Sequence, residues 1–409
     1  MSQTTQEKNV FPKEMKRDRY QMVIGGQMTD ALSGETFKVY NPATGAVLAE
    51  VPKAGKEDVD RAVKAAREAF DNGKWRRYPV GKRARVLNKI ASIMRSRFNE
   101  LVELEVLNSG KTVAAAQGQV MQAIEDFEFY AGAIVTHGGT VNNMPGPFFN
   151  YTQKEPIGVC GQIIPWNYPM MMAAWKIAPA IATGNSVVLK PASLTPLTAI
   201  ILTEICHEAG VPDGVVNVIT GPGAAIGSYL VTHEGVDKVA FTGETSTGKD
   251  IMAKASETLK RVTLELGGKS PNLVFPDADL DGAVDGSLFG IFYNTGQSCE
   301  ARSRLFLHES IYDAFMEKFI AKTKKLKLGD PFAQETHVGA IISQSQLEKI
   351  HSYVEEAKKD GATVVTGGEA VQVPGFENGY WYAPTIITGV TNDMKIAQEE
   401  IFGPVVVVM

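Results

Sequence analysis

A cysteine on a short connection is the residue of this chain whose type and position best suit covalent chemistry. Cys299 follows Gly296 and lies between a helix expected at Leu280–Phe292 and a strand expected at Leu305–His308. Gly296 is expected to end the helix and to let the chain turn sharply. A thiol on such a turn is open to a substrate, and its thiolate form is a nucleophile. The alternative is a buried cysteine that serves only as a small apolar residue.

A glutamate upstream is the natural partner of this thiol. Glu265 ends a β-rich segment that runs into Gly267 and Gly268, where the backbone can approach a ligand closely. A carboxylate beside a nucleophilic thiol can activate the water that releases a bound product. Together, Cys299 and Glu265 predict a covalent reaction through a thioester.

The elements that must position these residues alternate between strands and helices. Between Pro156 and Thr263, short apolar runs rich in β-branched residues alternate with helix-like segments. This alternation predicts βαβ units and a parallel sheet, with ligands at the carboxyl ends of the strands. A second unit of the same kind is expected after Gly268. The predicted fold class is therefore α/β, with two parallel-sheet domains.

Two glycine-containing turns follow strands of the first predicted sheet. One contains Gly221, Gly223 and Gly227, and the other is Phe241–Gly248, which opens a helix. Neither turn is a Gly-x-Gly-x-x-Gly motif, and each alone is also typical of an ordinary strand-to-helix turn. Their presence in one sheet favours a dinucleotide, whose pyrophosphate would face backbone N–H groups.

The region before this sheet predicts a helical layer and a β-rich excursion. Helical spacing of apolar residues predicts several helices between Glu57 and Ala131. Ala133–Thr136 and Phe148–Thr152 are β-rich and flank a Pro-Gly turn, which predicts a protruding hairpin. The exposed edge of such a hairpin can pair with another chain. The alternative is a hairpin that packs on its own chain.

Composition excludes several classes of protein. The 409 residues carry a net charge of −5, with 44% hydrophobic and 21% charged residues, so no nucleic-acid partner is expected. No apolar run reaches the length of about 18 residues that a membrane span needs, and Met1–Arg19 lacks the apolar core of a secretion signal. These features predict a cytoplasmic protein with no membrane partner.

The cysteines and histidines argue against disulfides and metals. Three cysteines in a chain of this length do not make a disulfide framework, and we expect Cys160 and Cys206 to be buried packing residues. The six histidines show no metal-ligand spacing. No catalytic metal is therefore predicted.

Two segments resemble the signatures of the aldehyde dehydrogenase superfamily. Residues 265–269 are similar to its Glu-x-Gly-Gly-Lys segment and residues 296–299 to its Gly-Gln-x-Cys segment, and the similarity extends from about Tyr20 to the last residue. The chain resembles bacterial betaine-aldehyde and general aldehyde dehydrogenases. The resemblance implies oxidation of an aldehyde to a carboxylic acid, with Cys299 carrying the thioester and Glu265 activating water. It further implies that the Asn167 amide and the Cys299 N–H form an oxyanion hole. Lys176 is a candidate for proton transfer, or a packing residue.

The resemblance also implies a Rossmann-like domain that binds NAD or NADP. The residues expected at the cofactor are Ile163, Ile164, Pro165, Trp166, Lys190, Ser193, Gly223, Gly227, Phe241, Thr242, Gly243, Glu244, Leu266, Glu400 and Phe402. Many NAD-specific members have a glutamate at the position of Ser193, where a carboxylate repels a 2′-phosphate. With a neutral Ser193 and a cationic Lys190, we expect both cofactors to be accepted. Glu400 is expected at the nicotinamide ribose and Phe402 near the nicotinamide.

The substrate is less determined than the reaction. Tyr168, Trp175 and Tyr293 occupy positions that line the substrate entrance in relatives. They could form a cation–π box for an aldehyde bearing an ammonium group, as in betaine-aldehyde oxidation. Such aromatics also make an apolar tunnel for ordinary aldehydes, which is the interpretation that we favour.

The expected organisation follows from the resemblance, with some departures. The domains are a flexible N-terminal segment (1–20), a cofactor-binding domain (21–132 and 156–265), an oligomerisation hairpin (133–155) and a catalytic domain (266–409). The hairpin implies a homodimer or homotetramer. Glu244 and Glu300 add negative charge where the family usually has a serine and a small or apolar residue.

Family members continue beyond the position of Met409, so the catalytic domain is expected to be truncated. This leaves a catalytically silent NAD(P)-binding or structural protein as an alternative function. Transfer of the thioester to coenzyme A is a second alternative, and the presence of Glu265 argues against it.

Overall fold

The structure, a computed structural model, describes residues 14–409, which contain a seven-stranded and a five-stranded sheet with packed helices and two separate two-stranded sheets. The strands are β1 (Met22–Ile24), β2 (Gln27–Thr29), β3 (Thr36–Tyr40), β4 (Val47–Pro52), β5 (Val141–Asn142), β6 (Asn150–Tyr151), β7 (Val159–Ile163), β8 (Ser186–Lys190), β9 (Val216–Val218), β10 (Lys238–Gly243), β11 (Arg261–Leu266), β12 (Pro271–Val274), β13 (Arg304–Leu307), β14 (Thr363–Thr366), β15 (Thr385–Thr388) and β16 (Val405–Val408). The helices are α1 (Lys56–Asp71), α2 (Val80–Ser96), α3 (Phe98–Ser109), α4 (Val113–Thr136), α5 (Pro169–Ala182), α6 (Leu197–Glu208), α7 (Ser228–Thr232), α8 (Thr245–Ala255), α9 (Leu280–Phe292), α10 (Tyr312–Thr323), α11 (Gln344–Lys359) and α12 (Lys395–Gln398).

The larger sheet has the order β11-β10-β7-β8-β9-β1-β2. Strands β7 to β11 are parallel to one another, as the alternating pattern predicts, while β1 is antiparallel to both β9 and β2. The chain builds the sheet in one direction from β7 to β9 and in the other direction from β10 to β11. The strand order therefore reverses between β7 and β10, and a crevice at the strand carboxyl ends is expected there.

The smaller sheet confirms the second α/β unit. Its order is β12-β13-β16-β15-β14, and only β14 is antiparallel to its neighbour. Helix α9 packs on α10 and on β16, and the buried rings of Phe292, Phe315 and Phe319 lie in this core. Burial of these aromatic side chains fixes α9 in the core, and α9 in turn fixes the start of the segment that follows it.

The helical layer lies beside the larger sheet. In α1 the residues Val59, Ala62, Val63, Ala66 and Phe70 are buried at helical spacing, as predicted. Helix α4 packs against α2, α3 and α5. Within residues 14–409, no helix combines the length and apolar character that a membrane crossing requires.

The predicted hairpin begins later than expected. The expectation of a strand at Ala133–Thr136 is wrong, because these residues form the last turn of α4. Phe127, Ala131 and Ile134 continue the buried face of α4 at helical spacing, and this packing overrides the β-propensity of the local residues. The excursion holds only the two-residue strands β5 and β6, which pair antiparallel. Its exposed apolar side chains are Val141, Met144, Phe148, Phe149 and Tyr151.

Part of the predicted flexible N-terminal segment is packed. Met15 and Tyr20 are buried, and Tyr20 donates a hydrogen bond to the carbonyl of Met15. Arg17 binds both carboxylate oxygens of Glu204 on α6, at 2.8 and 2.6 Å. Residues 14–20 are therefore attached to the helical layer, and the rest of this segment, residues 1–13, lies outside the described residues.

Candidate active site

A cleft opens where the strand order of the larger sheet reverses. Its empty volume is about 680 Å³, open solvent included. The residues that line it are Pro165, Trp166, Asn167, Met172, Thr242, Gly243, Glu244, Glu265, Leu266, Gly267, Cys299, Gln346, Lys349, Glu400 and Phe402. The cleft therefore brings together the three residues that the sequence singles out for catalysis, Cys299, Glu265 and Asn167.

The turn before Cys299 has an unusual backbone. Asn294 and Thr295 have φ angles of 50° and 60°, and Gly296 follows with 66°. Left-handed conformations are uncommon in residues other than glycine and are typical of functional sites. A side chain at Gly296 would approach the carbonyl oxygen of Gly403 to 2.1 Å. Only glycine therefore fits at 296, which confirms the predicted sharp turn.

Buried side chains hold this strained turn. The Nδ2 of Asn294 donates to the carbonyls of Asn167 and Gln297, at 3.2 and 3.1 Å. The side chains of Thr295 and Gln297 make hydrogen bonds of 3.0–3.3 Å with the main chain of residues 339–342. The turn is thus fixed from both sides, and Cys299 follows it in a defined position.

The Asn167 side chain is held against the same turn. Its Nδ2 donates to the carbonyl of Gln297 at 3.0 Å, two residues before Cys299. A carboxamide nitrogen carries two hydrogens, so one N–H of this group remains for a substrate oxygen. Asn167 is buried, and within the described residues its Oδ1 has no hydrogen-bond partner.

Glu265 lies on β11, an edge strand, in register with Thr242 of β10. Its side chain is exposed at the cleft. Lys176 on α5 is close enough to interact with it electrostatically. Burial lowers the pKa of Lys176 to about 8, and the charge of Glu265 acts in the opposite direction. A lysine with a pKa in this range can both accept and donate a proton near neutral pH.

The environment of Cys299 disfavours its thiolate. Burial raises the pKa of this half-buried thiol, and the charges of Glu300, Glu400 and Glu265 raise it further. Glu300 itself is exposed. Among residues 14–409, neither Arg302 nor Arg304 forms a salt bridge with Glu300: Arg302 donates to the carbonyl of Gly286. Arg304 donates to the carbonyl of Lys269 and to Asn392.

Replacing Glu300 by glutamine is expected to lower the pKa of Cys299, because a neighbouring negative charge disfavours ionisation of the thiol. The rate of alkylation by iodoacetamide, followed against pH, should shift to lower pH and rise about two- to fivefold at pH 7. Glu309→Gln, an exposed carboxylate outside the cleft, is the matched control. An alkylation profile identical to that of the wild type would show that Glu300 is fully screened by solvent.

On one side of the cleft, the segment that contains Glu400 and Phe402 contacts several other parts of the chain, and Gly267 leaves room for the Glu400 carboxylate. The N–H of Gly268 donates to Glu400 Oε1 at 3.2 Å, and a side chain at Gly267 would lie 2.1 Å from Glu400 Oε2. Phe402 has a φ of 64° and its ring meets that of Trp166 edge-to-face, with centroids 5.1 Å apart. Gln346 holds this backbone by donating to the carbonyls of Ile401 and Phe402, at 3.1 and 3.0 Å.

A second group of predicted cofactor residues lies at the ends of β7, β8 and β9. A Cβ at Gly223 would be 3.8 Å from Lys190 Nζ, and one at Gly227 would be 3.6 Å from Lys190 Cδ and 3.8 Å from Ile163 Cδ1. Burial lowers the pKa of Lys190 to about 8. Ser193 donates to the carbonyl of Gly221 at 2.8 Å. Gly223 is exposed, whereas Gly227 and Lys190 are buried, and Lys190 Nζ donates to the carbonyl of Pro191 at 2.9 Å. The backbone at Gly223 is therefore the part of this group that is open to a dinucleotide.

The other predicted cofactor residues have different positions. The ring of Phe241 packs against the backbone of Gly243, because a Cβ at position 243 would lie 2.6 Å from that ring. Glu244 is exposed at the cleft and directly precedes α8. Ile164 is buried in the core, so only its main chain is placed for contact with a ligand.

The three predicted substrate-lining aromatics do not line this cleft. Tyr168 is buried and its hydroxyl donates to Ser298 Oγ at 2.9 Å, which makes it a support of the nucleophile's loop. Trp175 is 45% exposed. Tyr293 packs on Phe289, with ring centroids 4.9 Å apart. Within the part of the chain that is described, no group of three or more possible metal ligands occurs.

Sequence reasoning missed four cleft residues: Met172, Gly267, Gln346 and Lys349. Gln346 and Lys349 lie three residues apart on α11 and therefore share one helix face. Only the tertiary structure places them at the cleft and pairs Gln346 with the carbonyls of Ile401 and Phe402. Gly267 could have been predicted from the sequence, because it belongs to the double glycine that follows Glu265.

The chain matches known proteins over almost its whole length. The model of the aldehyde dehydrogenase family matches residues 28–409. An aldehyde dehydrogenase of Alternaria alternata is 48% identical over 387 residues, which are 94% of this chain and 77% of that protein. A mitochondrial aldehyde dehydrogenase of Mesocricetus auratus is 45% identical over 392 residues, 95% of this chain and 78% of that protein.

Solved structures agree with these relatives. The NAD+ complex of an aldehyde dehydrogenase from Bacillus cereus superposes with a TM-score of 0.94 at 44% identity, covering 97% of this chain and 80% of that one. A betaine aldehyde dehydrogenase from Staphylococcus aureus, in complex with NAD+, has a TM-score of 0.93 at 40% identity, covering 95% and 77%. By sequence and by fold, this chain belongs to the aldehyde dehydrogenase family.

Proposed function

We propose that this protein oxidises an aldehyde to a carboxylic acid with reduction of NAD(P)+, through a thioester on Cys299. The observation that carries the proposal is the cleft at the strand reversal, which is lined by Cys299, Glu265 and Asn167 together. A nucleophile, a base and an amide donor in one cleft are the parts that acyl chemistry on a thiol requires.

Acylation uses Cys299 and Asn167. The thiolate attacks the carbonyl carbon, and the free N–H of the Asn167 amide and the N–H of Cys299 receive the oxyanion. One such donor typically contributes about 2.7–4 kcal/mol to transition-state stabilisation. When bound, NAD(P)+ accepts the hydride that leaves the substrate carbon, which converts the adduct on Cys299 into a thioester.

Deacylation uses Glu265. Its carboxylate takes a proton from a water molecule as the water attacks the thioester carbon, and Cys299 leaves as a thiolate. The carboxylic acid is released and the thiolate is ready for the next aldehyde. Lys176, with its pKa lowered to about 8, is placed to pass the proton of Glu265 onward.

The residues around the cleft fit NAD or NADP. Ser193 and the exposed backbone at Gly223, with Lys190 and Gly227 buried next to them, would take the adenosine half, and Glu400 and Phe402 the nicotinamide half. The Bacillus cereus relative is an NAD+ complex, which supports NAD for this chain. Ser193 is neutral, so the 2′-phosphate of NADP meets no carboxylate at that position.

Ser193→Glu is expected to weaken NADP binding about tenfold or more while changing NAD binding little, because a carboxylate repels the 2′-phosphate. Titration of each cofactor by quenching of tryptophan fluorescence gives both dissociation constants. Ser193→Gln, which has a similar shape and no charge, is the control. An equal effect on both cofactors would place the adenosine ribose elsewhere.

For the substrate we favour an ordinary aliphatic or aromatic aldehyde over one with an ammonium group. A cation–π box would need Tyr168, but this ring is buried, its hydroxyl is bound to Ser298, and the ammonium of Lys111 already lies 5.5 Å from its centroid. Comparing kcat/KM for betaine aldehyde and its neutral tert-butyl analogue tests this choice. A strong preference for the cationic aldehyde would reverse it.

The exposed hairpin supports a homodimer or homotetramer as the working assembly. Apolar side chains on a short antiparallel pair are typical of surfaces that pair with another chain. Light scattering after gel filtration measures the assembly, with Phe148→Ser/Phe149→Ser as the variant expected to reduce it.

Cys160 and Cys206 are free and buried, which agrees with a reducing cytoplasm.

The decisive test of the reaction is absorbance at the NAD(P)H band with an aldehyde, at burst time resolution. A burst followed by turnover supports the proposal. A burst that needs coenzyme A for turnover would indicate acyl transfer instead. Cofactor binding without any burst would indicate a catalytically silent protein.

A further inference from the structure

A buried lysine outside the cleft contacts the main chain of Asn167. Lys111 lies in the loop between α3 and α4, after Gly110, and its side chain is 3% exposed. Two main-chain hydrogen bonds attach this loop to residues 331–340: Ala340 donates to the carbonyl of Gly110 at 2.9 Å, and Val113 donates to the carbonyl of Pro331 at 2.7 Å. No step of the proposed reaction uses Lys111.

The ammonium of Lys111 has three acceptors. It donates to Glu105 Oε1 at 3.0 Å, to Gln119 Oε1, and to the carbonyl of Asn167 at 3.1 Å. Glu105 and Gln119 are themselves buried. An ammonium group has three hydrogens, so this set of partners satisfies it completely and fixes its direction. Glu105 and Gln119 thus orient the ammonium group, and its third hydrogen bond fixes the carbonyl of Asn167.

The same cluster reaches the turn before Cys299. The carbonyl of Asn167 also accepts from Asn294 Nδ2 at 3.2 Å. Gln119 in turn donates to Asn294 Oδ1 at 3.5 Å and to the hydroxyl of Tyr293 at 3.4 Å. Lys111 and Gln119 therefore contact both parts of the site, the peptide of Asn167 and the turn that carries the nucleophile.

We propose that Lys111 is a positioning residue for the oxyanion hole: its ammonium clamps the carbonyl of Asn167 and thereby holds the amide of Asn167 beside Cys299. The inference rests on the proposed function. Donors that are oriented in advance are effective because no reorganisation is needed during the reaction. A displacement of about 1 Å can reduce a rate by about a hundredfold. The simpler alternative is that Lys111 only neutralises Glu105 in the core.

A charge-neutral double variant separates the two roles. In Lys111→Met/Glu105→Gln no buried charge is left without a partner, but the donor to Asn167 is lost. The burst rate constant for acylation is expected to fall about 10- to 100-fold. The dissociation constant of NAD, measured by fluorescence, and the alkylation rate of Cys299 are expected to stay within about twofold of the wild type. Lys111→Arg keeps both a cation paired with Glu105 and a donor directed at Asn167, so it serves as the matched control, and its burst is expected to fall clearly less than that of the double variant.

A cycle with Asn167→Ala tests whether Lys111 acts through Asn167. In the Asn167→Ala background, the double change is expected to reduce the burst no further, because the group that it positions is absent. Independent, multiplicative losses would overturn the proposal, as would a wild-type burst in the folded double variant. Failure of the double variant to fold would also overturn it, in favour of a purely structural lysine.

The two proposals fail in different ways. If the wild-type chain shows no Cys299-dependent burst, the proposed function is wrong, and the inference about Lys111 fails with it. If the wild type reacts and the double variant reacts equally well, only the inference about Lys111 is wrong.

Discussion

Replacing Cys299 by alanine is expected to reduce aldehyde oxidation on the order of 10⁴-fold or more, since Cys299 is the one thiol among the described residues that line the cleft. Both the burst and the steady-state formation of NAD(P)H should disappear. Because the residues that fit the cofactor are untouched, the dissociation constant of NAD, measured by fluorescence titration, should remain close to that of the wild type.

Cys206→Ala is the matched control for this loss. Cys206 is fully buried on α6, and burial raises the pKa of its thiol far above the physiological range, so it is inert. Its removal is expected to lower stability modestly and to leave the burst in place. If the Cys299→Ala protein retained a burst, the nucleophile would have to be another residue and the thioester scheme would be wrong.

Replacing Glu265 by glutamine is expected to separate the two halves of the reaction. Acylation depends on Cys299 and Asn167, so the burst should survive, while turnover should fall about 10²- to 10⁴-fold, the usual contribution of a general base. The thioester should then accumulate and appear as a mass increase on the peptide that contains Cys299. Rapid-mixing absorbance and mass spectrometry of the quenched protein measure the two effects.

Glu309→Gln, an exposed carboxylate away from the cleft, controls for the loss of a charge. The placement of Glu265 on the exposed face of an edge strand gives water direct access to it, which suits a base that activates water. Equal losses of burst and turnover would contradict this role and would assign Glu265 to activation of the thiol instead. An unchanged turnover would remove Glu265 from the mechanism.

Local patterns in the sequence predicted most of the elements. Helix α9 was predicted at Leu280–Phe292 and has those bounds in the structure, and the strand expected at Leu305–His308 is β13, one residue earlier. Strand-helix alternation identified the parallel sheet, because βαβ connections leave few other arrangements. The prediction failed at Ala133–Thr136, where local β-propensity competes with the buried face of α4 and packing decides.

The chemistry of the site was also present in the sequence. The type and spacing of Cys299, Glu265 and Gly296 predicted a thiol on a sharp turn with a carboxylate near it. The glycine was required because Gly403 leaves no room for a side chain, although that contact comes from a segment more than a hundred residues away. The sequence predicted that Gly296 allows the sharp turn, and the structure identified the carbonyl of Gly403 as the contact that requires it.

The sequence by itself determined the reacting groups and the sheet that carries them, because motifs and hydrophobic periodicity are local. The tertiary structure decided which distant residues support them. Gln346 holds the backbone of Phe402, Tyr168 holds Ser298, and Lys111 holds Asn167. These contacts join segments that are far apart in the chain, and a hydrogen bond across such a distance exists only after both segments have packed on the same core.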